Sequence, residues 1–380
     1  MFRLEKEEIM IKLLISLIVF FISMIGFFRI LRFYSPKVAK LKLLDLENDC
    51  CLLSIIIPCR NEEKRLPNLL NSLKKQTYQN FEIIVVDDGS TDNTISVAKS
   101  YNAKVIQRKE IFPDWEGKSA SCYAGAMYAQ GEILLFLDAD VILRETALEY
   151  LLRHFQSDGV ISCQPYHYLE RFYENLSLYP NLILILGLGA GKKSEPFSTD
   201  NGLYGPCIMI SKDLYIKTGG HKLVGNSVIE DVDLGIKLAQ KGVKITIVPH
   251  NNFIRFRMYP EGVMTLINGW TKNMSLGAAR SKPQELIIIT AIISFSLGIF
   301  NSLINSFNQK DFILLSIYSV MYIFYGIFLF IVSRKFGRFS PITIVLYPFF
   351  AMAFILIFIR SILVKIFRLK LHWRGRQIKI

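Results

Sequence analysis

Apolar and polar positions along this chain follow two rhythms. Residues 10–30 form a nearly unbroken apolar stretch whose charged positions are Lys12 near its start and Arg29 at its end, and 286–303, 312–332 and 342–359 form three more. Each is about as long as a bilayer-spanning helix needs to be. Between the first stretch and the other three, short apolar runs alternate with polar turns. Ser54-Ile55-Ile56-Ile57 is a β-branched run that Pro58 is expected to stop, and Leu66, Leu69, Leu70 and Leu73 recur just beyond it at helical spacing. Residues 81–86 predict a second strand, followed by the turn and helix cap Asp87-Asp88-Gly89-Ser90-Thr91-Asp92. Residues 104–107 predict a third strand, and Ile133-Leu134-Leu135-Phe136-Leu137 a fourth, apolar enough to be buried on both faces. Consecutive βα units predict an α/β domain with a mostly parallel sheet and right-handed crossovers. The stretch 176–190 is also apolar, but Pro180, Asn181 and its glycines make it core or interfacial rather than a span.

Composition agrees with a chain held partly in lipid. Of 380 residues 51% are hydrophobic and the mean hydropathy is +0.32, too apolar for a wholly soluble protein. The first apolar stretch lacks a small-residue cleavage site and reads as an anchor. Arg3, Lys6 and Lys12 precede it, whereas Arg29, Arg32, Lys37, Lys40 and Lys42 follow, so the domain after it is expected in the cytoplasm of a multi-pass membrane protein. The basic connector Arg334-Lys335-Phe336-Gly337-Arg338 then lands inside, as the same rule requires. The tail, with Lys365, Arg368, Lys370, Arg374, Arg376 and Lys379, falls outside if all three later stretches span. Either the last one, broken by Pro348, is re-entrant or interfacial, or a span is miscounted. The net charge of +13 suits a face held against anionic lipid, and no nucleic-acid recognition motif accompanies it. Cysteines 50, 51, 59, 122, 163 and 207 form no Cys-x-x-Cys pair and are expected to be reduced and structural.

Chemistry concentrates at the predicted strand ends. The fourth strand runs into Asp138-Ala139-Asp140, and if the chain stays extended both carboxylates point the same way and can face one divalent cation. Carboxylates at the ends of parallel strands suit a nucleoside, with Asp88 taken for the base and Asp138 for the ribose. Gly117-Lys118-Ser119 opens a helix of small residues, which places Lys118 near a diphosphate and relieves the repulsion among the acids. Glu230-Asp231 opens another helix, where the helix dipole alone explains acids. Gly205-Pro206 and Gly219-Gly220-His221 read as loops that let an acceptor approach the backbone, although lone histidines such as His221 and His250 are more often structural.

Pro58-Cys59-Arg60-Asn61-Glu62-Glu63, Val85-Val86-Asp87-Asp88-Gly89-Ser90-Thr91-Asp92, Asp138-Ala139-Asp140 and Glu230-Asp231, in this order and spacing, resemble the family 2 glycosyltransferases of GT-A fold over roughly residues 50–280. With the apolar stretches at either end, this divides the chain into an expected membrane anchor and basic juxtamembrane segment over 1–44, a GT-A domain, implied by the resemblance, over 45–283, and a membrane region with a basic tail over 284–380. It implies that Pro58, Arg60, Glu62, Asp88, Lys118 and Asp138 surround the uridine diphosphate of a UDP-sugar, and that Asp140, with Asp138, holds Mn²⁺ or Mg²⁺. Asp231 becomes the general base of an inverting displacement and Glu230 its neighbour at the acceptor. Processive synthases of the family carry Gln-x-x-Arg-Trp where this chain has Leu266, Gly269 and Trp270, so a polymerase is disfavoured. Trp270 also reads as an interfacial aromatic on the acceptor side.

A narrower likeness joins Gly117-Lys118-Ser119 with Cys122-Tyr123, Gln164-Pro165-Tyr166-His167, Thr218-Gly219-Gly220-His221-Lys222, Phe256-Arg257-Met258-Tyr259, Gly269-Trp270-Thr271-Lys272, and the tail Trp373 with Gly375-Arg376-Gln377. These resemble the bacterial C30 carotenoid glycosyltransferases, which implies glucose from UDP-glucose as donor moiety and a lipophilic carotenoid carboxylate, diaponeurosporenoate, as acceptor. A carboxylate acceptor is ionised near neutral pH and needs no base, whereas a hydroxyl does. The intact Glu230-Asp231 pair therefore leaves a hydroxycarotenoid, diacylglycerol or other lipid alcohol open as acceptor. A catalytically silent scaffold or sugar-nucleotide sensor is the reading of a different class, and the joint retention of Asp88, Lys118, Asp138, Asp140 and Asp231 argues against it.

Overall fold

The computed structural model describes residues 2–35, 51–189, 191, 202–225, 227–250, 252–373 and 376–379. Lys37, Lys40, Lys42, Cys50, Ala190, Arg374 and Gly375, which entered the expectations above, lie outside the described residues. In chain order the elements are α1 (Phe2–Phe33), β1 (Leu53–Cys59), α2 (Leu66–Lys74), β2 (Phe81–Asp87), α3 (Thr94–Ser100), β3 (Lys104–Gln107), α4 (Arg108–Ile111), α5 (Lys118–Tyr128), β4 (Ile133–Leu137), β5 (Val141–Leu143), α6 (Ala147–His154), β6 (Gly159–Cys163), β7 (Tyr166–His167), α7 (Leu178–Gly187), β8 (Cys207–Ser211), α8 (Lys212–Thr218), α9 (Glu230–Gln240), β9 (Lys244–Val248), β10 (Ile254–Phe256), α10 (Val263–Arg280), α11 (Pro283–Asn308), α12 (Phe312–Phe336), α13 (Pro341–Val345), α14 (Tyr347–Ile366), β11 (Lys370–Trp373) and β12 (Arg376–Lys379). They fall into two compact units, one from residues 1–33, 169–194 and 259–369, the other from 34–168, 195–258 and 370–380.

The second unit is the expected α/β domain. Its seven-stranded sheet has the order β3-β2-β1-β4-β8-β6-β9, parallel throughout except where β8 runs against β4 and β6. The apolar runs form strands because both of their faces are covered. Ile55 and Ile57 pack with Leu66, Leu69, Leu70 and Leu73 of α2 in the core, and all five residues of β4 are buried. Helix α5 presses on the other face, where Gly125 meets β1 so closely that a Cβ would stand 2.4 Å from Ile56 Cγ2. That close approach fixes the N-terminal end of α5, and with it Lys118, at the carboxyl edge of the sheet.

Pro58 does not stop β1, which continues in register with β2 as far as Cys59 opposite Asp87. Pairing with β4 ends earlier, at Ile56 opposite Phe136. The proline thus sits where the strand has a ladder partner on one side only, and its missing N–H removes no bond on the other.

The first unit is a helical assembly in which α1, α11, α12 and α14 are each long and apolar enough to cross a membrane. Their buried faces meet through aromatic rings, Phe27 with Tyr325 at 5.1 Å and Phe295 with Tyr325 at 4.6 Å, and through the ion pair of Arg29 with Glu285 at 2.5 Å. Large apolar side chains such as Ile313, Val320 and Phe349 cover the outward faces, the pattern of helices solvated by lipid. The stretch predicted as core or interfacial forms the short helix α7, with Leu182, Ile185 and Leu186 buried. Pro348 does not break a helix: it occupies the first turn of α14, where a missing N–H does no harm, and the interruption falls at Leu346 between α13 and α14.

Candidate active site

The loops after β1 and β2 are tied to each other. Asp87 closes its own turn by accepting bonds from the N–H groups of Gly89 and Ser90, and Asn61 N–H donates to Ser90 Oγ at 3.0 Å. Glu62 is buried, its N–H donating to Thr94 Oγ1 and its Oε2 accepting from Arg65 at 3.3 Å. Arg60 Nη1 donates to the Asp88 carbonyl at 2.8 Å. The Asp88 carboxylate is buried and held by Arg108, whose Nε stands 2.8 Å from Oδ1. Arg108 opens α4 directly after β3, so three adjacent strands deliver Pro58, Asp88 and Arg108 to one edge.

A second constellation forms next to this one, at the end of β4. Asp138 N–H donates to the Pro206 carbonyl and Val141 N–H to the Asp138 carbonyl, both at 3.1 Å. Residues 138–141 therefore make a turn, and the extended geometry expected for Asp138-Ala139-Asp140 is not adopted. Gly117, at φ 94°, is the residue that turns the chain into α5, a conformation that favours glycine. Lys118 Nζ then reaches Asp138 Oδ1 at 2.6 Å, Glu230 Oε1 at 3.7 Å and the Gly205 carbonyl at 3.4 Å. Gly205 N–H donates to Asp231 Oδ2 at 2.8 Å, while Val232 N–H binds the other oxygen. Four elements distant in sequence thus close on Gly205. A Cβ there would stand 2.5 Å from Asp231 Oδ2 and 3.0 Å from Lys118 Nζ, so any larger residue would displace the Asp231 carboxylate.

This geometry has relatives. A family model described as "Glycosyl transferase family 2" matches residues 54–219. The 4,4'-diaponeurosporenoate glycosyltransferase of Staphylococcus aureus (strain USA300) is 36% identical over 338 residues, covering 86% of this chain and 88% of its own length. The chain belongs to glycosyltransferase family 2. Among solved structures, the mannosyltransferase PcManGT from Pyrobaculum calidifontis, in complex with GDP-Man and Mn²⁺, aligns with a TM-score of 0.52 at 16% identity, over 92% of this chain and 98% of that one. At that identity the likeness concerns the fold, which is GT-A.

In this glycosyltransferase the charges around Lys118 shift each other. Burial alone would lower the Lys118 ammonium, but Asp138, Glu230 and Asp231 outweigh it and raise it well above its usual value. Burial, and then the neighbouring Glu230, push Asp231 up to about 6, against the opposing pull of Lys118 and two backbone N–H groups. Asp231 therefore changes charge within the range of ordinary assay pH.

Other expected residues lie elsewhere. Gly220, at φ 49°, gives way to the Tyr215 ring, where a Cβ would come within 2.3 Å. His221 is buried, hydrogen-bonded through Nδ1 to Tyr215 Oη at 2.8 Å and packed on Phe136 of β4 at 5.0 Å. Burial, with Lys118 adding to it, drops His221 to about 3, so it stays neutral and belongs to the core of the sheet rather than to an acceptor loop. Trp270 is not interfacial: it is 1% exposed inside the helical unit, its Nε1 donating to Ser177 Oγ at 3.0 Å. The reason in both cases is amphipathic chemistry, since a buried ring satisfied by one hydroxyl loses nothing by leaving water. Sequence reasoning missed Arg108 and the role of Asp87. The one available signal was an arginine placed directly after a strand that ends beside Asp88.

Proposed function

We propose that this family 2 glycosyltransferase is a multi-pass membrane protein with its catalytic unit in the cytoplasm. It moves a hexose, glucose from UDP-glucose, to a lipophilic acceptor with inversion at the anomeric carbon. The acceptor is a carotenoid carboxylate of the diaponeurosporenoate type, the substrate printed in the name of the relative that is 36% identical over most of both chains. The observation that carries the reading is the closure of Lys118, Asp138, Glu230 and Asp231 around Gly205.

In this reading Pro58, Arg60, Glu62 and Asp88 frame the uridine, with Arg108 holding the Asp88 carboxylate in place. Asp138 and Asp140 offer oxygen donors at one turn. Among the described residues no group of three or more His, Cys, Asp or Glu is gathered to hold an ion. Two carboxylates without a full cage fit a Mn²⁺ or Mg²⁺ that takes its remaining ligands from a substrate diphosphate. When bound, that ion supplies neutralisation of the departing diphosphate. Lys118 adds a fixed cation on the same side.

The acceptor oxygen forms its bond to the anomeric carbon as the bond to the diphosphate breaks, and UDP leaves with the electron pair. An ionised carboxylate acceptor brings no proton. A hydroxyl acceptor gives its proton to Asp231, and the value of about 6 for that residue is what favours a lipid alcohol as the second reading. Incubating membranes that contain the full chain with UDP-glucose and each acceptor class separates the two. An alkali-labile monohexosyl ester supports the first reading, and an alkali-stable monohexoside the second. Long glycan chains or no product would overturn both.

A further inference from the structure

Arg360 lies within α14, six residues before the helix ends, or about 9 Å along its axis. A cation inside an apolar helix of spanning length carries a large desolvation penalty unless something answers its charge. Its partners here are neutral. Nη1 donates to Thr271 Oγ1 at 2.7 Å and Nη2 to Asn268 Oδ1 at 2.9 Å, both on α10. The next residue, Ser361, binds the Thr271 carbonyl at 2.5 Å, so the two helices are stitched face to face at this point. Thr271 and Ser361 are fully buried, while Arg360 remains half-buried.

No acid answers it. Helices α7, α10 and α14 contain no aspartate or glutamate, and among the described residues none pairs with Arg360. The same unit does neutralise Arg29 of α1, pairing it with Glu285. A guanidinium has five N–H donors in a planar fork, and two bonds to neutral oxygens orient that fork without cancelling its charge. No described residue supplies a counter-charge to Arg360, which leaves the guanidinium able to take an anion from outside the chain. At this depth below the exposed Lys365 and Arg368, which attract an anionic leaflet, the anion at hand is a headgroup phosphate.

We infer that Arg360, oriented by Asn268 and Thr271, is the binding residue for the phosphate of an anionic phospholipid seated against α10 and α14. The acyl chains would lie along the apolar outer face of α14, where Met352, Leu356, Ile359 and Leu363 are exposed. An acceptor carboxylate is consumed in the reaction and a phosphodiester is not, which is why a resident phospholipid suits a site built on a fixed cation.

The full chain in phosphatidylcholine bicelles tests this by titration with phosphatidylglycerol, read by retained lipid in native mass spectrometry and by thermal midpoint. Wild type is expected to retain phosphatidylglycerol in preference to phosphatidylcholine and to gain midpoint with it. R360Q keeps hydrogen-bonding capacity without charge and should bind at least roughly tenfold more weakly, with R360K between the two. Should R360Q fail to fold, N268L carries the test, because it removes one anchor of the fork and should weaken retention severalfold. Equal retention by wild type and R360Q, or by wild type and N268L where R360Q does not fold, would overturn the site. An equal midpoint gain from inorganic phosphate would overturn the lipid assignment, and one from oleate the phosphate assignment.

Discussion

Replacing Lys118 with methionine removes a charge and little volume from the centre of the candidate site. Its ammonium stands 2.6 Å from Asp138 and 3.7 Å from Glu230, with side chains 28%, 28% and 13% exposed. A unit charge at about 4 Å is worth about 4 kcal/mol at an effective dielectric near 20, or about 3 pK units before water screens it. With partial screening, K118M should raise Asp231 from about 6 by a further one to two units, roughly. At pH 7 a base roughly nine-tenths ionised would then be half ionised or less. On the proposed donor placement, loss of the fixed cation beside the leaving diphosphate adds a factor of order 10²–10³. The assay is kcat and kcat/KM for transfer to a lipid alcohol between pH 5.5 and 9, with thermal unfolding as control. K118M should lower kcat by 10²-fold or more and move the acid limb to higher pH, and K118R should restore part of both. Turnover within threefold of wild type on an unmoved acid limb would refute the placing of Lys118 between donor and base.

Four further outcomes follow from the two constellations. With a hydroxyl acceptor, kcat/KM of the wild type should rise with pH through about 6, because Asp231 as the proposed base has to lose its proton to act, and an acid limb near the ordinary carboxylate range would contradict this. The linked stability has the opposite sign: a carboxyl raised above its unfolded value stabilises the fold fully below about 3.8 and loses that contribution as pH climbs through about 6. D231N should therefore be more stable than wild type near pH 8, by on the order of 1–3 kcal/mol in denaturant titrations. G205A inserts a Cβ 2.5 Å from Asp231 Oδ2 and should cut kcat by about 10²-fold with donor binding nearly unchanged, since it misplaces the base rather than the uridine. R108M leaves the Asp88 carboxylate buried without its cation and should destabilise the protein by about 3–5 kcal/mol, a loss that D88N in the same chain should largely repair.

Much of the fold was legible because burial on both faces of a sheet writes itself as continuous apolar strands. Residues 104–107 were placed to the residue, the fourth strand ends one residue before Asp138, and the four long apolar stretches overlap the four helices long enough to span, the last of them beginning in α13. Proline was where local rules misled. Pro58 and Pro348 carry a local penalty only when a partner wants the missing N–H, and partners are a tertiary matter.

Local patterning was enough for the acid-tipped strands, the glycine that opens α5, and the family to which these motifs belong. Tertiary structure alone decided which acids meet. Lys118, Asp138, Gly205 and Asp231 are far apart along the chain and come within hydrogen-bonding reach because α5 presses on β1 through Gly125 and because β8 enters the sheet beside β4. It also sent His221 and Trp270 inward and set Arg360 opposite two neutral side chains, since pairing of distant faces is fixed by packing and leaves no periodic trace in the sequence.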